Sequence, residues 1–284
     1  MKFLFFIFLL LPVIAFSQSP FLDTEERNVV DSLIIADEEE GEPAKVFHAE
    51  PVFIDLISEL GARKGERALE LGSEIQDHQS YYRYSTFLEY EFVPIDRLGF
   101  EVEIPLTLYS ESNNLQDDDR EGSRVNALET SMQYTFLVSE KHQTSMAVGY
   151  INRLKLPEFR DYGSASLIRG NWYNPFFVAA KRFGRNYHTL IYAGPIIEHN
   201  FGEQDLGVVW QINSNFHYMI PGTGNFLGIE INKELENNDF AIIARPQVLI
   251  NLSRDFSLGF LVGLPIKHET QRMSAFVRLI RDID

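Results

Sequence analysis

The sequence predicts an all-β fold: a transmembrane, antiparallel, up-and-down β-barrel of about twelve strands, with a short N-terminal helix before it. Three features carry that expectation. The N-terminus has the pattern of an export signal, period-two alternation runs from Arg67 to the end, and the links between strands alternate between short and long.

The first element is the export signal. Met1-Lys2 is a positive n-region, Phe3 to Ala15 is almost unbroken apolar sequence, and Ala15-Phe16-Ser17 supplies small residues for cleavage. Residues 1–17 are therefore expected to be removed, leaving Gln18 as the start of the mature chain. A membrane anchor is the alternative, but this run falls short of the roughly 20 residues a helix needs to cross the hydrocarbon core. Composition agrees with export and adds exclusions. The chain of 284 residues has no cysteine, so neither a disulfide framework nor thiol chemistry is available. A net charge of −16 excludes nucleic acid as a partner, because phosphates would be repelled.

Residues 18–47 form an acidic stretch containing Asp37-Glu38-Glu39-Glu40-Gly41-Glu42-Pro43, which reads as a solvated tether. The short helix is expected within 48–65. Val52, Phe53, Leu56, Ile57 and Leu60 have helical spacing, Pro51 suits a first turn, and Gly61 suits a C-terminal cap. Such a helix would plug or cap one mouth of the barrel, or pack on its edge.

The barrel is expected over 66–284. Leu88, Tyr90 and Phe92 alternate with Glu89 and Glu91, and the same rhythm returns in Phe100-Glu101-Val102-Glu103-Ile104, in 211–218 and in Gly228-Ile229-Glu230-Ile231-Asn232. Strands are placed at 67–76, 81–93, 98–109, 124–138, 143–155, 168–183, 187–200, 206–219, 225–235, 239–252, 256–267 and 272–281. Pro94-Ile95-Asp96-Arg97, Ser139-Glu140-Lys141-His142, Gly184-Arg185-Asn186, Pro221-Gly222-Thr223-Gly224 and Arg254-Asp255 read as tight links. Ser110 to Ser123 and Leu156 to Leu167 read as long loops, the pattern of outer-membrane barrels. Aromatic residues near strand ends (Tyr81, Tyr82, Tyr109, Trp172, Tyr173, Tyr218) suit interface girdles. A soluble sandwich or lipocalin-like barrel would reverse the two faces, with the apolar one inside.

His48-Ala49-Glu50-Pro51, followed by Ile54-Asp55-Leu56-Ile57 and Leu60-Gly61-Ala62-Arg63-Lys64-Gly65-Glu66, resembles the opening of a Bacteroidota family whose mature domain begins with a His-Ala-Glu-Pro motif. Glu89-Tyr90-Glu91, Pro94-Ile95-Asp96-Arg97-Leu98-Gly99, Asn174-Pro175-Phe176 and Asn215-Phe216-His217-Tyr218-Met219-Ile220-Pro221-Gly222-Thr223 extend the resemblance along the chain. It implies an outer-membrane β-barrel and names no substrate or activity.

If the apolar face meets lipid, the other face lines a lumen carrying Glu89, Glu91, Glu101, Glu103, Glu129, Asn213, Asn215, His217, Glu230, Arg245 and Arg278, with Arg83, Gln133, Glu198, Asn232, Gln247 and Lys181 also in reach. Glu89 and Glu91 lie on the strand antiparallel to Glu101 and Glu103, so four carboxylates should cluster on one wall. Acidic and basic walls could enclose a water-filled constriction selecting small polar or cationic solutes. The alternative is a structural barrel, filled with ion-paired side chains, that serves envelope integrity or anchors a partner. Outer-membrane lipid and lipopolysaccharide are the expected surroundings. A lipid hydrolase or acyltransferase is the third class, but no nucleophile, base and orienting group share a face. Asn213, Asn215 and His217 share one without a serine, and His142 and Ser145 lie on opposite faces. No metal or other cofactor site is expected: the seven histidines are scattered, and His48 with Glu50 makes only a pair. The loop Asp117-Asp118-Asp119 with Glu121 lacks the spacing of a calcium loop.

Overall fold

The computed structural model describes residues 42–283, apart from 55, 79–80, 111–121, 165, 203–205, 238 and 268–270. The expected signal peptide, the tether up to residue 41 and the acidic loop at Asp117-Asp118-Asp119 lie outside the described residues.

Alternation of apolar and polar side chains over the whole barrel region produces strands with two chemically distinct faces. They are β1 (Arg67–His78), β2 (Tyr82–Ile95), β3 (Leu98–Tyr109), β4 (Arg124–Val125), β5 (Ala127–Ser139), β6 (Thr144–Lys155), β7 (Gly170–Phe183), β8 (Tyr187–Asn200), β9 (Gly207–Met219), β10 (Phe226–Glu236), β11 (Asp239–Asn251), β12 (Phe256–Lys267) and β13 (Gln271–Asp282). The two residues of β4 pair with Leu106 and Thr107 just ahead of β5, so the barrel has twelve long strands. All pairing is antiparallel between neighbours, and β1 pairs with both β2 and β13, with Ala68 opposite Asp282 and Leu71 opposite Leu279. That seam closes the sheet and leaves no open edge, as hydrocarbon demands of a strand-built span.

The faces are inverted relative to a soluble barrel. In β5, Ala127, Glu129, Ser131, Gln133 and Thr135 are buried, while Leu128, Met132, Tyr134 and Phe136 are exposed. In β9, Asn213, Asn215 and His217 are buried, and Trp210, Ile212, Phe216 and Tyr218 face outward. Polar inside and apolar outside is the membrane-barrel arrangement, and it removes the soluble sandwich. Three expected placements are corrected by strand parity, the first being Tyr109, which has the inward parity of buried Glu101 and Thr107 and so is not part of an outer girdle. Lys181 shares the outward parity of exposed Phe177 and Phe183, with its ammonium over the Phe183 ring and donating to the His142 carbonyl. Trp172 has the inward parity of buried Asn174 and Phe176, opposite Arg153 and Glu198, so it is not part of an outer girdle.

The short helix is the main correction. Described residues of 48–65 form turns and bends with no helix. The chain instead enters the barrel's interior at the end that carries the tight links, and its apolar residues divide between two walls. Ile54, Leu56, Ile57 and Leu60 pack with Ala147, Ile151, Phe176, Val178, Leu190 and Tyr192 of β6 to β8. Ala49 and Val52 pack with Met219, Phe226, Leu261 and Phe276 of β9 to β13. A helix offers one apolar stripe and could not serve both. Helical spacing here reflects a chain that turns from one wall to the other, and Gly61, at φ +89°, makes the final turn toward β1.

The rim is tied down as well. Gly65 donates to the Val93 carbonyl at 2.8 Å, Arg97 donates to the Ala62 carbonyl at 2.7 Å, and Lys64 donates to Asp96 at 2.9 Å. Lys45 forms an ion pair with Glu59 and donates to Glu66 at 2.8 Å, joining the two ends of the segment. Close packing shows at Gly99, where a Cβ would fall 2.2 Å from the Ser58 hydroxyl oxygen and 3.2 Å from the Ile57 carbonyl. Gly99→Val should therefore unseat the segment while leaving the barrel's ladder intact. Trypsin should cut after Lys45 far faster than in the unaltered protein, with heat-dependent gel mobility retained. Unchanged resistance to trypsin would contradict this packing.

Candidate functional site: a filled lumen and its carboxylate belt

Entering a barrel confronts an irregular chain with a shortage of hydrogen-bond partners, since its backbone groups have neither a helix nor a sheet ladder. Wall side chains supply them here. Ala49 N–H donates to His188 Nδ1 at 2.8 Å, Val52 N–H to Gln247 Oε1 at 2.7 Å, and Gly61 N–H to Thr135 Oγ1 at 3.1 Å. Backbone hydrogen bonds from Phe53 and Ile54 reach the Glu230 carboxylate. In the other direction, Gln133 donates to the Ser58 carbonyl at 2.7 Å, and His217 Nδ1 lies 3.3 Å from the Ala49 carbonyl. Each buried donor left unmade would cost about 1–3 kcal/mol, so this set defines where the segment sits.

Gln133 and Gln247, and with them His217, Glu230 and Arg245, are sequence-predicted lumen residues that hold the segment rather than face open water. His217 and Glu230 bond its backbone, and the Arg245 guanidinium lies 3.5 Å over the Phe53 ring while donating to Asn232. Asn232 in turn donates to Glu230 at 2.7 Å. Asn213 and Asn215 are interior but act within the wall, accepting from the backbone of Lys233 at 3.4 Å and Leu190 at 2.9 Å.

The predicted carboxylates gather as expected. Glu70, Glu89, Glu103 and Glu129 lie opposite one another on successive strands β1, β2, β3 and β5, and Glu91 lies opposite Glu101 in the adjacent row. Oxygens of Glu70, Glu89 and Glu91 lie within 4.8 Å of one another, as do those of Glu89, Glu101 and Glu103. These are the described groups with the spacing to hold a metal ion. Arginines close the belt at both ends. Arg153 is paired with Glu129, and Arg278 is paired with Glu70 across the closing seam and lies 3.9 Å from Glu89. Ser131 donates to Glu101 at 3.1 Å. Six carboxylates thus share one wall, with Arg153 and Arg278 paired to two of them.

Sequence reasoning missed Glu70, Arg153 and His188. Parity could have placed Glu70 beside Ala68 on the inner face, and likewise Arg153 beside Ile151. Their pairing was out of reach, because register between strands decides which charges meet. His188 was passed over because its partner is a backbone N–H 139 residues away.

Arg278→Ala should strand the Glu70 carboxylate in the interior and cost about 3–5 kcal/mol, measured by urea unfolding in lipid vesicles. Glu70→Gln combined with Arg278→Met should recover much of that loss. A near-neutral single variant would mean that water reaches Glu70 freely.

The barrel is similar to solved outer-membrane channels. The crystal structure of an outer-membrane channel from Pseudomonas putida F1 superposes with a TM-score of 0.61 at 13% identity, covering 81% of this chain and 100% of that one. The KdgM porin superposes with a TM-score of 0.53 at 12% identity, covering 76% and 99% respectively. The same porin in complex with disordered oligogalacturonate gives 0.53 at 11% identity, with the same coverage. Identities this low show the shared fold, that of outer-membrane channels and porins. No curated protein matches the sequence significantly. The model of the HAEPLYID-like family matches residues 44–282, a span that includes the lumen segment and the whole barrel, and the chain belongs to that family.

Proposed function

We propose that this protein is an outer-membrane channel held closed by its own segment 43–66, and that displacement of the segment opens a path for small cationic solutes. The observation that carries this reading is the mode of attachment. The segment is noncovalent, it lies inside a barrel of channel fold, and it is fixed by side-chain bonds to Ala49, Val52 and Gly61 that an exchange with water can replace. The carboxylate belt supports the choice of charge, because a low-dielectric wall focuses its field into the lumen and concentrates cations there. Outward-facing residues such as Leu71, Leu88, Ile104, Ile191 and Ile212 are exposed and suit contact with outer-membrane lipid and lipopolysaccharide. A permanently closed barrel that serves envelope integrity is the competing reading, favoured by how fully the segment is bonded.

Single-channel recording in a planar bilayer separates the two. The unaltered protein is expected to be silent or to open rarely, and deletion of residues 43–61 should give discrete, cation-selective conductance. Glu89→Gln with Glu101→Gln in that deletion should lower its cation preference. Steady conductance from the unaltered protein would overturn closure by the segment. A deletion variant that folds, shows heat-dependent mobility and stays silent would assign the structural role.

A further inference from the structure

His188 and His217 face each other across the β8–β9 ladder, and both meet the segment at Ala49. Hydrogen-bond geometry fixes the protonation of each ring. His188 Nδ1 accepts the Ala49 N–H and must carry a lone pair. Gln247 Oε1 accepts the Val52 N–H, so its amide nitrogen faces His217 Nε2 at 2.8 Å, and that ring nitrogen must also be an acceptor. His217 Nδ1–H is then the donor to the Ala49 carbonyl. Both rings are neutral in this closed arrangement, and both are buried, His188 at 1% and His217 at 0% exposure.

We propose that His188 and His217 form a proton-operated latch on segment 43–66: protonation turns each acceptor nitrogen into a donor aimed at a donor, and the segment is released. The inference rests on the reading of the segment as a displaceable plug. Arg182 of β7 stands opposite His188, and the Arg185 carbonyl lies against that ring. His48 of the segment faces His188 edge-on at 6.4 Å and meets Ser145 of β6 at 3.0 Å, with Glu59 acting on it from the same segment. Glu230 of β10 lies 3.5 Å from Gln247 of β11, and Arg245 of β11 lies close to Glu230. Arg182 is part of the wall and stays opposite His188 whether the segment is seated or free, so it does not distinguish the two states. Burial, then the proximity of His188 and Arg182, pushes His48 down to about 3, so the segment's own histidine also resists charging while it is seated.

The sign follows from linkage. Rings that are neutral when the segment is seated and ordinary when it is free leave closure intact above their usual value. Each of the two latch histidines then weakens closure about tenfold per pH unit below about 6.5. The cysteine-free chain allows a direct readout. Ser58→Cys places a near-isosteric thiol on the buried face of the segment, and a pyridyl disulfide reports its exposure even in acid. In refolded protein the labelling rate should rise roughly a hundredfold between neutral-to-basic pH and one pH unit below about 6.5, with heat-dependent mobility unchanged. In His48→Gln/His188→Asn/His217→Gln, whose amides bond but do not titrate, the rate should be flat with pH, whatever its level, while His48→Gln alone should keep most of the rise. A flat rate with both latch histidines present overturns the latch, as does an acid-dependent rise that survives the triple replacement. Labelling does not require conduction. A folded deletion variant that stays silent in the bilayer would therefore count against the channel reading alone, and slow labelling at every pH against the latch alone.

Discussion

Every backbone N–H and C=O that leaves water must find a partner inside the protein, and this one constraint is met twice in the molecule. The first time it closes the sheet. Pairing of β1 with β13 over Ala68 to His78 removes the last free edge, so strands with apolar outer faces can stand in hydrocarbon. The second time it seats the segment. An irregular chain inside a barrel has no ladder to join, and wall side chains from β5, β8, β10 and β11 take its N–H groups in place of carbonyls. Sheet and segment are thereby interdependent: the inner face is polar because the outer is apolar, and that polarity is what can bind a bare backbone.

Charge follows the same division of space. The carboxylates of β1, β2, β3 and β5 occupy one wall, and the residues that bond Ala49, Val52, Phe53 and Ile54 occupy β8 to β11. Arg153 and Arg278 sit at the two ends of the acidic row, where each pairs with a neighbouring strand rather than across the lumen. Carboxylates gathered this closely cost energy in a sealed interior and suit a wetted one, which is the ground for the proposed opening to cations.

Most of the barrel was legible because membrane strands write their two faces directly into alternate residues. The strands at 98–109, 187–200 and 256–267 match the predicted bounds, and the others differ by at most two residues at either end, apart from the break at Asn126 within 124–138. The acidic cluster was legible for the same reason, with Glu89 and Glu101 on adjacent strands at matching depth. The segment was not. Val52, Phe53, Leu56, Ile57 and Leu60 have helical spacing, yet two walls claim them, and no local pattern separates a stripe from a chain that turns between two surfaces. The roles of His188, His217 and Gln247 were hidden too, because side chain to backbone bonds across such separations leave no periodic trace.

Segment 43–66 lies inside the barrel against β12 and its neighbours. Val52 Cβ lies 3.5 Å from where a Cβ on Gly259 would stand, within the range a disulfide requires. In a chain with no other cysteine, Val52→Cys/Gly259→Cys should oxidise readily in the folded barrel to an intramolecular disulfide, detected as two blocked thiols and a reducible shift in the mass of a proteolytic fragment. Two thiols that stay free under mild oxidant, in protein that keeps its heat-dependent mobility, would place the segment elsewhere and contradict the seated plug.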